Sequence, residues 1–270
     1  MATALVTVSV FGAGRANAAE EEAQPSFLTL DRMDGTSRFG LQLDFAKLPN
    51  VGLGDGFGTR FEAYFQYVLP FRAIGIYGQM PVSYWFNSAG TGEDQHGVGN
   101  PELGAYYMPG GRQTLIFRAG LTIGTASDSF GGVVSNGIVG YARLTDGIDL
   151  SPKATAGRLS VSTIQTFAML FLRGDFGLDI AFSNKSDSDI YAHANGALGL
   201  RVPVVDLTAE LVNAGALDGG GSFTQRFQHS VALMLRTRGK NLLHLGLVLP
   251  LDEGARGKLW IVSLGYQRAF

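Results

Sequence analysis

Apolar and polar residues alternate along most of the chain from residue 38 onward. In the stretch RFGLQLDF at residues 38–45, every second residue is large and apolar, and the residues between are charged, amide or glycine. The same alternation returns at residues 60–69, 115–123, 176–183, 205–211 and 243–249. Because successive side chains of a strand point to opposite faces, these stretches are predicted to be two-faced β-strands.

The second face of these strands differs from the polar face of a soluble β-sandwich. It carries many small residues and isolated charges of both signs; glycine makes up 38 of the 270 residues, while only 16% are charged. A barrel with lipid outside and a polar lumen gives this pattern. Since lipid offers no hydrogen bonds to an open sheet edge, the sheet has to close. The prediction is an all-β fold, a transmembrane antiparallel up-and-down β-barrel.

The lengths of the connections indicate the number of strands. Short connections are predicted at residues 70–72, 109–112, 173–175, 202–203 and 238–240, and long ones at 46–58, 86–98, 184–189, 214–224 and 251–257. Short turns and long external loops alternate in bacterial barrels. They alternate here if residues 124–157 form one long external excursion, which either covers the mouth or enters the lumen. We expect about 12 strands within residues 33–270, or 14 if residues 27–30 also pair.

The first residues are typical of an export signal. Residues 4–13 form an apolar segment that is too short to cross a bilayer as a helix. Ala16-Asn17-Ala18 then supplies the small residues of a signal-peptidase site. No Lys or Arg precedes the apolar segment, and a buried N-terminal strand is the alternative. We expect a signal peptide at residues 1–18, an acidic segment at residues 19–32, and an outer-membrane location.

The last strand carries a possible assembly signal. One face of residues 258–270, interrupted by Arg268, holds Trp260, Val262, Leu264, Tyr266 and Phe270. This strand resembles the C-terminal signal of bacterial outer-membrane proteins, which has alternating hydrophobic residues, a nearby aromatic residue and a terminal Phe. The resemblance implies that the barrel-assembly machinery is a partner and that outer-membrane lipid surrounds the folded chain.

One glycine-rich stretch resembles a known family. Residues 97–107 read GVGNPELGAYY. They are similar to the Gly-x-Gly-Asp-x-x-x-Gly-x-x-Tyr stretch of putative outer-membrane transporters linked to meta-pathway phenol degradation. Asn100 stands where that family usually has Asp. The resemblance implies passive passage of small aromatic or hydrophobic molecules, and it brings no catalytic residues.

Charged residues on the predicted inner face are the candidate functional residues. They are Arg38, Asp44, Arg60, Glu62, Glu102, Arg118, Asp179, Arg201, Asp206, Glu210, Arg226 and Arg236. An Arg or Lys on the lipid side costs about 2–4 kcal/mol near the midplane, so these residues are expected inside whatever the function is. They either line a watery pore and set its selectivity, or pair with one another and fill the lumen. The first possibility predicts passive diffusion of a small-molecule solute, and the second a closed structural or surface-binding barrel.

The sequence gives no sign of enzymatic, cofactor or nucleic-acid chemistry. His229 and Ser230 are adjacent, so their side chains should face opposite ways, and His193 and Asn195 share a face without a nucleophile. His96 lies beside acidic residues in a predicted loop, where such residues are more often simply solvated. The net charge of −2 and the lack of a basic run argue against a nucleic-acid partner. We therefore predict no catalytic residues, no metal and no cofactor; the oligomeric state stays open.

Overall fold

The computed structural model describes residues 27–48, 56–70, 72–87, 95–111, 113–126, 128, 136, 139–183, 190–218 and 226–270. The described strands form one antiparallel sheet. They are β1 (Arg38–Leu48), β2 (Gly56–Val68), β3 (Ile74–Asn87), β4 (Gln95–Val98), β5 (Glu102–Tyr107), β6 (Leu115–Thr122), β7 (Thr155–Phe167), β8 (Leu170–Ser183), β9 (Ile190–Arg201), β10 (Val205–Ala216), β11 (Phe227–Thr237), β12 (Asn241–Pro250) and β13 (Trp260–Ala269). The predicted signal peptide lies outside the described residues.

The sheet closes into a barrel because β1 pairs with β2 on one side and with β13 on the other. β4 and β5 form one interrupted strand, since both pair with β3, at residues 82–85 and 74–79 respectively. The described chain therefore makes a closed barrel of 12 strands, which confirms the predicted fold. Residues 27–37 form no strand, so the 14-strand alternative is wrong. Among the described residues, no helix is long and apolar enough to cross a membrane.

Short and long connections alternate around the barrel. The short ones, at residues 69–73, 108–114, 168–169, 202–204 and 238–240, lie at the end of the barrel where β1 begins and β13 ends. The long ones join the strands at the opposite end. In bacterial barrels the short turns face the periplasm, so the end that carries the short connections is the periplasmic end.

The turn predicted at residues 173–175 is wrong, because these residues lie inside β8. The chain turns earlier, at Ala168, which adopts a positive φ of 52°. Arg173 and Asp175 both point into the lumen, where the Arg173 Nε lies 2.9 Å from a carboxylate oxygen of Asp175. The Arg-Gly-Asp stretch looks like a turn in sequence, but a pair of residues two apart in a strand shares a face and can form this ion pair.

The outer surface of the barrel is apolar. Exposed leucine, isoleucine and phenylalanine side chains cover its middle, among them Leu103, Leu121, Leu172, Leu207, Leu233 and Leu245. Exposed aromatic residues stand near both ends: Tyr67, Tyr107, Phe167 and Phe270 at the periplasmic end, and Phe57, Phe182 and Trp260 at the other. An apolar belt between two aromatic girdles is the surface of a membrane-spanning barrel. Trp260, Leu264 and Phe270 of the predicted assembly signal are all exposed on this surface.

Inward-facing glycines make room for large side chains on the neighbouring strand. Gly40 lies directly opposite Tyr64, and a Cβ atom added to it would be 2.2 Å from Cζ of the tyrosine ring. The same relationship joins Gly75 to Tyr106, Gly104 to Tyr77, Gly177 to His193, Gly199 to Phe171 and Gly265 to His244. Rings laid flat against the wall fill the lumen without widening the barrel. This packing explains why these six strand positions are glycine.

Candidate functional site

Two segments that are not strands occupy the middle of the lumen. We call residues 27–34 the N-terminal arm and residues 139–150 the loop arm; the loop arm contains the helical turns Tyr141–Asp146 and Gly147–Leu150. Every residue of the N-terminal arm and most residues of the loop arm are buried. The loop arm belongs to the excursion predicted at residues 124–157, and it enters the lumen, which was one of the two expected outcomes. Residues 155–157 of that range belong to β7 instead.

The N-terminal arm is bound to two strands on one side of the wall, β10 and β8, which are separated only by β9. Its backbone donates from the N–H groups of Leu28 and Thr29 to the carboxylate of Glu210 in β10, at 2.7 Å each. Further along the arm, the N–H of Asp31 donates to Asp175 in β8 at 2.9 Å. Backbone donors in a lumen that excludes water need such partners. The two carboxylates therefore act as fixed acceptors for a segment that has no strand neighbours.

Apolar side chains of the N-terminal arm rest on two patches of the wall. Leu28 packs on an apolar patch that includes Met234, Val248 and Ile261. Phe27 packs on a second one, where its ring meets Phe171 edge to face with centroids 6.0 Å apart. These patches lie in a lumen that is otherwise rich in charged, amide and hydroxyl groups.

The two arms are hydrogen-bonded to each other. Arg143 of the loop arm donates to the carbonyl oxygens of Leu28 and Leu30, the second at 2.9 Å. Thr145 donates through its hydroxyl to the carbonyl oxygen of Thr29 at 2.5 Å. The arms therefore form one unit, which we call the plug.

The predicted inner charges form ion pairs with the plug and with one another. At the centre, Arg158 lies 2.9 Å from Glu102, 3.2 Å from Asp146 and 2.5 Å from Asp179. Arg118 pairs with Glu102 at 2.7 Å and also contacts Asp31 of the N-terminal arm. Each of these arginines thus joins the wall to the plug.

A second group of charges lies on β1 and β2. Arg60 contacts Glu62 and lies 3.6 Å from Asp44 and 3.8 Å from Asp146 of the loop arm. Arg32 of the N-terminal arm contacts Glu62. Both arms are therefore tied to this side of the wall as well.

A third group lies nearer the periplasmic end. Asp206 contacts Arg236, and its other carboxylate oxygen lies 3.8 Å from the Nε atom of Arg201. Arg38 pairs with Asp34 of the N-terminal arm at 2.6 Å. The base of the arm is held to the first strand by this pair.

The structure places all but one of the predicted inner charges inside the barrel. Arg226 is the exception in position: it precedes β11 and donates to the carbonyl oxygen of Leu217 at the long-loop end. The prediction that these residues line a pore concerns their role and stays a prediction. Sequence reasoning missed other luminal charges, chiefly Arg158, Arg173 and Asp175 on strands and those on the arms. Alternation through β7 was the signal that could have identified Arg158.

Two carboxyl groups of the loop arm have pKa values shifted in opposite directions, because their neighbouring charges differ. Burial raises the pKa of Asp149 to about 8, and Glu102, Asp146 and Asp179 add to this rise while Arg158 opposes it. Burial would also raise the pKa of Asp146, but Arg143 and Arg158 outweigh it and hold this pKa well below its usual range. One carboxyl of the loop arm is therefore protonated at neutral pH and its neighbour three residues away is ionised.

Asn100, in the glycine-rich stretch at residues 97–107, holds the loop arm to the wall. Its side-chain amide donates to the carbonyl oxygens of Ile148 and Ser151, at 3.0 and 2.7 Å, and its amide oxygen accepts from the N–H of Ala126 at 2.6 Å. Its own backbone N–H donates to the carbonyl oxygen of Asp149 at 2.5 Å. The motif interrupts the strand between β4 and β5 and supplies the anchor where the loop arm leaves the wall.

The histidines show no assembled catalytic group. Ser230 is buried in the lumen, whereas His229 is partly exposed and lies 2.9 Å from Asp252. His193 and Asn195 share a face, as predicted, and this face is the inner one. His96 is exposed on β4, and the acidic residues 93 and 94 beside it lie outside the described residues. Within the described part of the chain, no group of three His, Cys, Asp or Glu residues is arranged to hold a metal.

No protein-family model matches this chain, and no curated protein matches it in sequence. Its fold is similar to that of an outer membrane channel from Pseudomonas putida F1, with 14% identity and a TM-score of 0.58 over 95% of this chain and 100% of that one. It is also similar to NanC porin, with 8% identity and a TM-score of 0.50 over 86% of this chain and 98% of the other. At these identities the likeness shows the fold. The chain has the fold of an outer-membrane β-barrel, and its apolar belt agrees with an outer-membrane location.

Proposed function

We propose that this barrel carries small solutes across the outer membrane by passive diffusion and that the plug is its gate. The observation that carries the proposal is the construction of the plug: it is held by hydrogen bonds, ion pairs and apolar contacts and takes no part in the strand ladder. It can therefore move without opening the closed sheet. A barrel built only for rigidity would need no separate segment of this kind.

With the plug in place, the middle of the lumen is filled. Arg60, Glu102 and Arg158 are fully buried there, and each is engaged by an opposite charge. Passage of a solute larger than water therefore requires the plug to shift. The N-terminal arm is the better candidate for the moving part, because the loop arm is fixed at both ends to strands.

The preferred solute in this proposal is small and hydrophobic or aromatic. Withdrawal of the N-terminal arm would uncover the apolar patches now covered by Phe27 and Leu28. Such patches give an apolar solute a favourable surface inside an otherwise polar lumen. The family resemblance of residues 97–107 points to the same class of solute.

The alternative is a closed barrel that serves as a structural or surface-binding element. The observation that favours it is the density of buried ion pairs between the plug and the wall. Breaking a buried pair by removing one partner costs about 3–5 kcal/mol, so many pairs together could hold the plug permanently.

Single-channel recording in planar bilayers separates the two functions. The experiment compares the refolded barrel with a variant that lacks residues 27–31, after heat-modifiable gel mobility has shown that both are folded. We expect brief, small conductance steps from the intact barrel and steps several-fold larger from the variant. Silence from the intact barrel, together with steps from the variant, would establish the closed structural barrel and overturn the proposal.

The solute preference has its own test in cells that lack their major porins. Uptake of N-phenyl-1-naphthylamine, an uncharged aromatic probe, is compared with uptake of arabinose, with and without the barrel. We expect the barrel to accelerate uptake of the aromatic probe more than that of the sugar. If the barrel accelerated uptake of arabinose more than uptake of the aromatic probe, the hydrophobic preference would be overturned, although the proposal of a gated channel would stand.

A further inference from the structure

A cavity of about 620 Å³ opens at the periplasmic end of the barrel. It lies between residues 35–37, which join the N-terminal arm to β1, the turns after β2, β5 and β11, and the first residues of β10 and β12. Cavities of this size hold small organic ligands. We call it the periplasmic vestibule. It lies apart from the ion-pair network at the middle of the lumen.

The vestibule carries an excess of positive charge. Arg72, Arg236, Arg238 and Lys240 line it, and Asp206 is its single acidic side chain. The concave shape of the site focuses this positive potential on whatever enters it.

The guanidinium groups around Asp206 are held in place. Arg238 donates to the carbonyl oxygens of Val202 and Pro203, at 2.9 and 3.3 Å, while its Nε atom lies 3.8 Å from Asp206. Arg236 contacts the other oxygen of the same carboxylate. One carboxylate is thus shared between arginines of two neighbouring elements. A site with fixed guanidinium groups recognises a planar carboxylate better than a mobile lysine alone does.

Part of the remaining lining is apolar. Val68, Met108, Leu242, Ala269 and Phe270 contribute to the wall of the vestibule, beside the polar residues Thr36, Ser37 and Gln113. The cavity therefore offers both cations and hydrocarbon to a ligand. A ligand that matches both has an anionic head and a compact apolar body.

We propose that the periplasmic vestibule is a binding site for a small organic carboxylate of about the size of benzoate. Arg238 and Lys240 hold the carboxylate, and the apolar wall packs against the body of the ligand. This binding site deepens the proposed function. It rests on that function, because the ligand reaches the vestibule through the barrel. The site stands where a solute leaves the barrel, so it retains anionic solutes at the periplasmic end.

Calorimetric titration of the folded barrel in detergent tests the site without any transport. The probes are benzoate, benzyl alcohol and inorganic phosphate. The test variant is Arg238→Gln with Lys240→Gln, which leaves the buried Arg236–Asp206 contact in place. Arg268→Gln is the matched control, because Arg268 belongs to the same end of the barrel but is exposed outside the vestibule.

We expect saturable benzoate binding that weakens at least tenfold in the double variant and changes less than twofold in the control. Benzyl alcohol, which lacks the charge, should bind at least tenfold more weakly than benzoate. Absence of saturable benzoate binding, or equal binding by the double variant, would overturn the proposal. Phosphate binding as tight as that of benzoate would overturn the assignment of an organic carboxylate.

The outcome is independent of the transport experiments. A barrel that conducts but does not bind benzoate refutes the vestibule site alone. A barrel that binds benzoate but never conducts, with or without residues 27–31, supports the site and refutes the proposed channel.

Discussion

Arg143 donates from Nη2 to the carbonyl oxygen of Leu30 at 2.9 Å, and this bond joins the loop arm to the N-terminal arm across 113 residues of sequence. The same guanidinium pairs with Asp146 within its own arm at 2.5 Å. Arg143 is fully buried, so water cannot replace either contact. The bond therefore couples the position of the N-terminal arm to a segment that the wall fixes at both ends.

Replacement of Arg143 should loosen the plug and leave the barrel intact. In Arg143→Gln the Leu28 and Leu30 carbonyls lose their charged donor, and loss of one member of a buried ion pair costs about 3–5 kcal/mol. The strand ladder does not contain Arg143, so this cost falls on the plug. We expect longer or larger openings in single-channel recordings and faster proteolysis within the N-terminal arm.

The control for this change is Arg256→Gln. Arg256 is exposed at the long-loop end and donates to the carbonyl oxygen of Leu251 at 2.7 Å. Its replacement should alter neither conductance nor proteolysis. Equal behaviour of the two variants would show that Arg143 does not hold the gate.

The fit between Gly40 and Tyr64 predicts a penalty for the smallest added side chain. A Cβ at Gly40 would lie 2.2 Å from the tyrosine ring, so Gly40→Ala forces the ring or the strand to move. Overpacking of this kind costs about 1–3 kcal/mol. Urea unfolding of the refolded barrel, followed by tryptophan fluorescence, should show the loss in unfolding free energy.

Two further variants identify the cause of that loss. Gly174→Ala is the matched control, because the nearest atom to its new Cβ, outside the adjoining residues, would be the Thr163 methyl carbon at 3.8 Å. Combining Gly40→Ala with Tyr64→Ala should give less destabilisation than the two single changes added together. Strict additivity would mean that the ring and the glycine do not interact.

The strands were predictable because their signal is local. Alternation of apolar and polar residues is set by the two environments of a barrel wall, and it placed residues such as Arg60 and Arg118 on the inner face. The missed luminal residue Arg158 shows the limit of this reasoning. It stands one residue beyond the predicted excursion, in a stretch that was not among those used to predict strands from their alternation.

The plug was not predictable from periodicity. In the N-terminal arm, Leu28, Thr29, Leu30, Asp31 and Arg32 are all buried, because the arm is surrounded by the wall on every side. A segment that is buried on every side has no reason to alternate apolar and polar residues, so periodicity cannot identify it. Several of its hydrogen bonds are with partners more than a hundred residues away, such as Glu210 for Thr29 and Asp175 for Asp31, and only the folded barrel brings them together.

Asn100 stands where the similar stretch of the transporter family usually has Asp, and its contacts give a structural reason that can be tested. Its amide donates to the carbonyls of Ile148 and Ser151, which an aspartate carboxylate cannot do. Asn100→Asp would place a negative charge against two carbonyl oxygens. We expect a loss of about 1–3 kcal/mol in unfolding free energy, the usual cost of leaving buried groups unpaired.

Asn213→Asp is the control for this substitution. The Asn213 amide also donates to a backbone carbonyl, that of Ala194 at 2.8 Å, but on the exposed side of the barrel. Water can take over that bond, so the change should cost far less. Similar losses in the two variants would contradict the role assigned to Asn100.

The protonated state of Asp149 predicts how the stability of the plug depends on pH. Asp149 accepts hydrogen bonds from Gln79 at 2.6 Å and Thr122 at 3.1 Å, and burial raises its pKa to about 8. The unfolded chain loses this proton above about pH 4. Because the folded state keeps a proton that the unfolded state releases, stability falls as pH rises from about 4 to about 8 and is then level with respect to this group.

Asp149→Asn isolates this contribution, because the amide stays neutral at every pH. The difference in unfolding free energy between the original chain and the variant should shift steadily in favour of the variant between pH 4 and pH 8. Asp146 does not interfere, because its ion pairs with Arg143 and Arg158 keep it charged throughout that range. Parallel pH profiles for the two proteins would mean that Asp149 is ionised in the folded barrel and that Arg158 outweighs its burial.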